Sequence, residues 1–163
     1  MKARFCTSHW QRLAHDSRDL DPGFARHLRD AARPRQIAFQ RLMGLCDGNP
    51  VGIECKSETR DAWAFVLPDV VGESPYRVQT FDLDGFFGHS CYNSLQEATE
   101  AMIGDGYRLP DPGALDRCAA TLRWAIGVKR SEIRLLFHLG KVGWTEMLER
   151  MDQVILDMQG AAA

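Results

Sequence analysis

The chain has 163 residues, 45% hydrophobic and 26% charged, with a formal net charge of −2, a composition that excludes fibrous, disordered and membrane-embedded classes. A chain of this length buries about 68–70% of its unfolded surface, so one domain folding without a metal or disulfide staple is expected. Its apolar runs at 62–67 and 135–139 fall short of the ~20 residues of a membrane span, and the opening MKARFCTSHWQR lacks the apolar core of a secretory signal, so a cytoplasmic protein with no membrane partner is expected.

Residues 1–50 read as helical and basic, with nine Lys/Arg against five Asp/Glu. Ser8 and Gln11 have capping-box spacing, and Asp21-Pro22 supplies an N-cap followed by proline at the first helical position. From Pro22 to Arg33, Phe24, Leu28, Ala31 and Ala32 fall on one side of a helix, with Arg26, Arg29, Arg33 and Asp30 opposite. Pro34 is expected to break that helix or start the next, which runs through Ile37, Phe39, Leu42, Met43 and Leu45 until Asp47-Gly48-Asn49-Pro50 stops it.

Residues 51–93 change to a period near 2 and carry the acidic excess: within 51–110 there are four Lys/Arg against ten Asp/Glu. Strands are expected at 51–56, 62–67, 76–83 and 86–92. Asp84-Gly85 signals a tight hairpin of type I′, since glycine accepts positive φ. A first hairpin turns through 57–60, a longer loop spans 68–75, and short connections of this kind make the sheet antiparallel.

Residues 94–159 return to helix. Ser94 and Glu97 form a capping box ahead of Leu95, Ala98, Met102 and Ile103, and Gly104-Asp105-Gly106 ends that helix. Asp111-Pro112 starts another, with Leu115, Cys118, Ala119, Leu122 and Ile126 inward and Trp124 and Val128 on the other side, so that it packs on two surfaces. The segment 131–139 is apolar almost all round and is expected to be central. The last helix carries Trp144, Met147, Met151, Val154 and Met158 in heptad spacing, with Glu146 and Arg150 as an i,i+4 pair; this stripe reads as core, with a homodimer through 144–158 as the alternative. Residues 160–163 form a tail.

The cysteines, Cys6, Cys46, Cys55, Cys91 and Cys118, are odd in number and widely spaced, so reduced, mostly buried thiols are expected rather than a metal set or redox pair. Asp82, Asp84 and His89 flank one turn and form a candidate metal set, since carboxylates and imidazole are ordinary ligands; a solvated turn with a hydrogen-bonded histidine competes with it. FDLDGFFGH at 81–89 is similar to the DxDG nucleophile motif of haloacid-dehalogenase-type phosphatases. That motif belongs at the end of a parallel strand, whereas here it sits in a hairpin with Phe86 in place of a small residue. Arg26, Arg29 and Arg33 are a candidate contact surface for phosphates or an acidic protein, against the alternative of a solvated helix face. Residues 131–151 have helix-turn-helix length, but the second helix offers acids where DNA contact needs Arg or Lys, so an αα-hairpin is expected and sequence-specific DNA binding is not.

The stretch 76–117, YRVQTFDLDGFFGHSCYNSLQEATEAMIGDGYRLPDPGALDR, resembles small accessory proteins carried on bacterial plasmids and integrative conjugative elements, through its FDLDGFFGH hairpin, SLQEA helix start and GYRLPDPGALDR loop-helix. The resemblance covers about a quarter of the chain. It implies a transfer accessory factor, an anti-restriction protein or an inhibitor of a CRISPR-type defence complex, and brings no catalytic residues with it.

These readings converge on one α+β domain with N-terminal helices, a central antiparallel sheet of about four strands and a C-terminal helical layer covering one face. The expected function is non-enzymatic binding of a protein or nucleoprotein complex through Arg26, Arg29 and Arg33 or through Asp82 and Asp84, without a cofactor. The alternative is a metal-assisted hydrolase or nuclease using Asp82, Asp84 and His89.

Overall fold

Side-chain caps set the starts of the N-terminal helices. A computed structural model of the protein describes residues 5–160; Ala161–Ala163 of the expected tail lie outside the described residues. Thr7 Oγ1 accepts the Trp10 N–H at 2.9 Å and opens α1 (Ser8–Asp16), so the cap falls one residue before the expected Ser8. Thr7 is buried and its own N–H donates to Gln36 Oε1 at 2.9 Å, which holds it in the capping position. Asp21 Oδ1 accepts from Gly23 and Phe24 at 2.9 and 3.0 Å and starts α2 (Pro22–Leu45), as its spacing predicts.

α2 is one helix of 24 residues, and Pro34 does not break it. Proline removes one N–H and crowds the preceding turn, a cost of about 3 kcal/mol. Ala25 and Ala32 before it and Gln36, Phe39, Leu42 and Met43 after it are buried along one continuous stripe, and Phe39 and Leu42 alone contribute about 1.5–3 kcal/mol each. That stripe is rotated from the expected one: Phe24 and Ala31 are exposed and Leu28 is half-buried.

The sheet is antiparallel and has five strands, β1 (Cys55–Ser57), β2 (Ala62–Pro68), β3 (Tyr76–Asp82), β4 (Gly85–Tyr92) and β5 (Tyr107–Pro110), in the order β4-β3-β2-β1-β5. Cys55 pairs with Ala64 and Lys56 with Trp63 across the first hairpin. β5 was not expected; it pairs antiparallel with β1, Lys56 facing Leu109, and takes the far edge, where Pro110 is tolerated. The β3–β4 turn is not type I′, because Asp84 is not at positive φ; the positive φ of 117° belongs to Gly85 alone, and Asp82 Oδ1 accepts the Asp84 N–H at 2.7 Å.

Four helices complete the order: α3 (Leu95–Gly104), α4 (Ala114–Ala119), α5 (Leu122–His138) and α6 (Trp144–Gly160). Ser94 caps α3 as expected, accepting from Glu97 N at 3.1 Å. The helix expected from Asp111 onward is two, because Thr121 accepts from Trp124 N at 3.1 Å and starts α5 afresh. α5 and α6 form the expected αα-hairpin. Gly140, at a φ of 68°, donates to Phe137 O and Lys141 donates to Leu136 O, the paired bonds of a glycine C-terminal cap.

The chain divides into two compact units, Met1–Thr80 with Gly88–Pro112, and Phe81–Phe87 with Gly113–Ala163. In the first, α2 and α3 form the layer over the sheet. Phe39 and Leu42 pack with Met102, Ile103, Val66, Val78, Cys55 and Tyr107. In the second, Phe81, Phe86 and Trp124 meet edge to face with ring centroids 5.3–6.1 Å apart. Ile133, Met147 and Met151 form a second cluster there. α5 thus packs through Trp124 and through Ile133, while Ala119 and Leu122 of the expected inward face are exposed. The segment 131–139 is not apolar all round in its setting, since Ile133 is buried while Leu135 and Leu139 are exposed.

Candidate functional site

α2 carries five arginines, Arg26, Arg29, Arg33, Arg35 and Arg41, against a single acid, Asp30. With Ala25, Ala32, Gln36 and Phe39 turned inward, a helical step of about 100° per residue sets Arg26, Arg33, Ile37 and Arg41 along the outer side. All four are exposed, Ile37 at 53%. Arg29 lies at the margin of this ridge and donates to Ser17 Oγ at 3.0 Å, a neutral partner. Among the described residues, none of the five arginines makes an ion pair with an acid.

The acidic middle of the chain behaves differently. Asp61 pairs with Lys56 at 2.8 Å and Glu58 with Arg108 at 2.8 Å. Asp84 receives a two-pronged pair from Arg123, whose Nε and terminal nitrogen donate to the two carboxylate oxygens at 2.8 and 2.6 Å. The Arg123 hydrogen bond, aided by the charges of Arg123, Arg130 and Arg134, holds the Asp84 carboxyl below the usual carboxylate range against the opposing effect of burial. Asp82 spends one oxygen on the Asp84 N–H. In the turn at 82–84, Asp84 is thus matched by Arg123 while the charge of Asp82 has no cation partner among the described residues.

The structure brings Asp82 and Asp84 to one turn and leaves His89 exposed on β4. No three His, Cys, Asp or Glu side chains converge to hold a metal ion among the described residues, so the expected set of Asp82, Asp84 and His89 is not assembled. The five cysteines are free, but against the expectation of mostly buried thiols only Cys55 and Cys118 are buried. Burial pushes the Cys55 thiol up to about 12, which removes it as a thiolate nucleophile at neutral pH.

A cleft of the first unit, about 720 Å³, mixes Arg12 and Arg35 with Glu97, Glu100 and Asp105 and so carries no positive excess. Sequence reasoning missed Arg123, Arg130 and Arg134 on α5. Their spacing is an arginine signal as regular as that of α2, and one continuous helix over 123–134 is enough to align them. Compared with family models, curated proteins and solved structures, the chain matches none.

Proposed function

We propose that the protein is a non-enzymatic binding protein whose α2 ridge docks on an anionic surface of a protein or nucleoprotein complex. The observation that carries this reading is the asymmetry of pairing: Asp61, Glu58 and Asp84 are matched within the molecule, while Arg26 and Arg33 hold no partner among the described residues. Guanidinium groups suit such a surface because their planar forks engage carboxylates and phosphates in pairs and shed water more readily than ammonium groups. Exposed Ile37, one turn beyond Arg33, adds an apolar contact of the kind found with arginine at the centre of protein interfaces. The net charge of −2 argues against indiscriminate coating of nucleic acid. The mobile-element setting implied by the resemblance at 76–117 makes a host-defence complex the first partner class to examine.

Affinity capture from host lysate tests the reading with two sets of variants. Combined Arg26→Glu, Arg29→Glu and Arg33→Glu abolishes recovery of the partner, whereas Asp82→Asn with Asp84→Asn leaves it intact. The reverse pattern removes α2 as the docking element.

A further inference from the structure

α5 carries a second arginine set, distinct from the α2 ridge and independent of the function proposed for it. Arg123, Arg130 and Arg134 are seven and four residues apart, which places them along one side of the helix with Gly127 between them. The turn preceding β4 comes so close at Gly127 that a Cβ there would lie 1.8 Å from the Asp84 carbonyl oxygen. This approach encloses a cleft of about 300 Å³ lined by Asp82, Asp84, Phe86, Arg130, Ser131 and Arg134.

Arg123 is spent on Asp84. Arg130 and Arg134 pair with no acid among the described residues, and Arg130 Nε is buried without a hydrogen-bond acceptor. Folded proteins seldom leave a buried N–H unmatched, and Arg77 Nε shares this state elsewhere in the chain. The lining itself balances Asp82 and Asp84 against Arg130 and Arg134, and Arg123, which pairs with Asp84 without lining the cleft, brings the group to an excess of one positive charge. We propose that Arg130 and Arg134 bind a phosphoryl group of a small ligand in this cleft. Two guanidinium forks and the Ser131 hydroxyl offer more donors than a planar carboxylate has oxygens, whereas a tetrahedral phosphoryl group can engage them from several directions. The volume lies at the lower end of small-molecule clefts and fits inorganic phosphate or a compact phosphoester.

The test is a titration of the full chain with inorganic phosphate, following the Arg130 Nε–H resonance by two-dimensional NMR, with sodium chloride at matched ionic strength and sodium acetate as separate arms. Arg134 is exposed, so Arg134→Met is compatible with folding, and its backbone amide spectrum verifies that. The expected result is a saturable shift with phosphate, no shift with chloride, a midpoint at least tenfold higher with acetate, and weakening of at least tenfold in Arg134→Met. Combined Arg26→Glu, Arg29→Glu and Arg33→Glu leaves the phosphate response unchanged, which separates this site from the α2 reading. A shift reproduced by chloride, a midpoint for acetate equal to that for phosphate, an unaltered response in Arg134→Met, or no shift overturns the proposal.

Discussion

Two glycines on helices show how far a single residue's role depends on what faces it. At Gly127 the Asp84 backbone occupies the space a methyl group would need, while Gly44, exposed near the end of α2, has nothing within 4 Å of such a group. Gly127→Ala therefore destabilises the protein by about 1–3 kcal/mol through forced displacement of the turn, and Gly44→Ala stabilises it by up to about 1 kcal/mol through helix propensity; urea denaturation midpoints check both signs. The Asp84–Arg123 pair is more than half exposed, so its contribution stays below about 1 kcal/mol after solvent screening. Because the Asp84 carboxyl is held below its unfolded value of 3.8, that contribution is fully present above this value and is lost as pH falls through the lower, folded one. Asp84→Asn accordingly lowers thermal stability slightly at neutral pH, and the difference from the parent protein narrows as pH falls below 3.8.

At the scale of elements, signals confined to a few adjacent residues were legible and those settled by distant partners were not. Asp21-Pro22 and the Ser94–Glu97 spacing each mark a boundary through bonds made within four residues, and each boundary is where they place it, whereas Asp84-Gly85 announces the hairpin but misplaces its turn by one residue. β5 is four residues long and exists through pairing with β1, some fifty positions away, which no local period announces. The continuity of α2 is of the same kind. Proline disfavours a helix locally, and only the buried stripe from Ala25 to Met43 overrides it. Pro34→Ala restores the missing donor toward Asp30 at an exposed position and is expected to stabilise the protein by about 1–3 kcal/mol, read from the thermal unfolding midpoint. The candidate site was legible to the extent that Arg26, Arg29 and Arg33 share a surface of one helix. The α5 arginines follow the same helical step and were overlooked because this stretch was read for its apolar residues alone.

Over the whole molecule, charge separation along the chain does not translate directly into charged surfaces. In the acidic stretch Asp61 and Glu58 pair with Lys56 and Arg108 of the same stretch, so only the Asp84–Arg123 pair draws on its excess, whereas the arginines of α2 are held outward with no acid paired to them among the described residues. The direct measurement is recovery of the captured partner at stepped salt by three forms of the protein: the parent, the Arg26→Lys, Arg29→Lys and Arg33→Lys variant, and the corresponding glutamate variant. Electrostatic docking predicts that the parent binds most strongly, that the lysine variant retains part of the binding by keeping charge without the fork, and that both release as salt approaches about 1 M, where screening shortens to about 3 Å. It predicts no recovery by the glutamate variant at any salt. Recovery by the glutamate variant equal to that of the parent throughout the series contradicts the account.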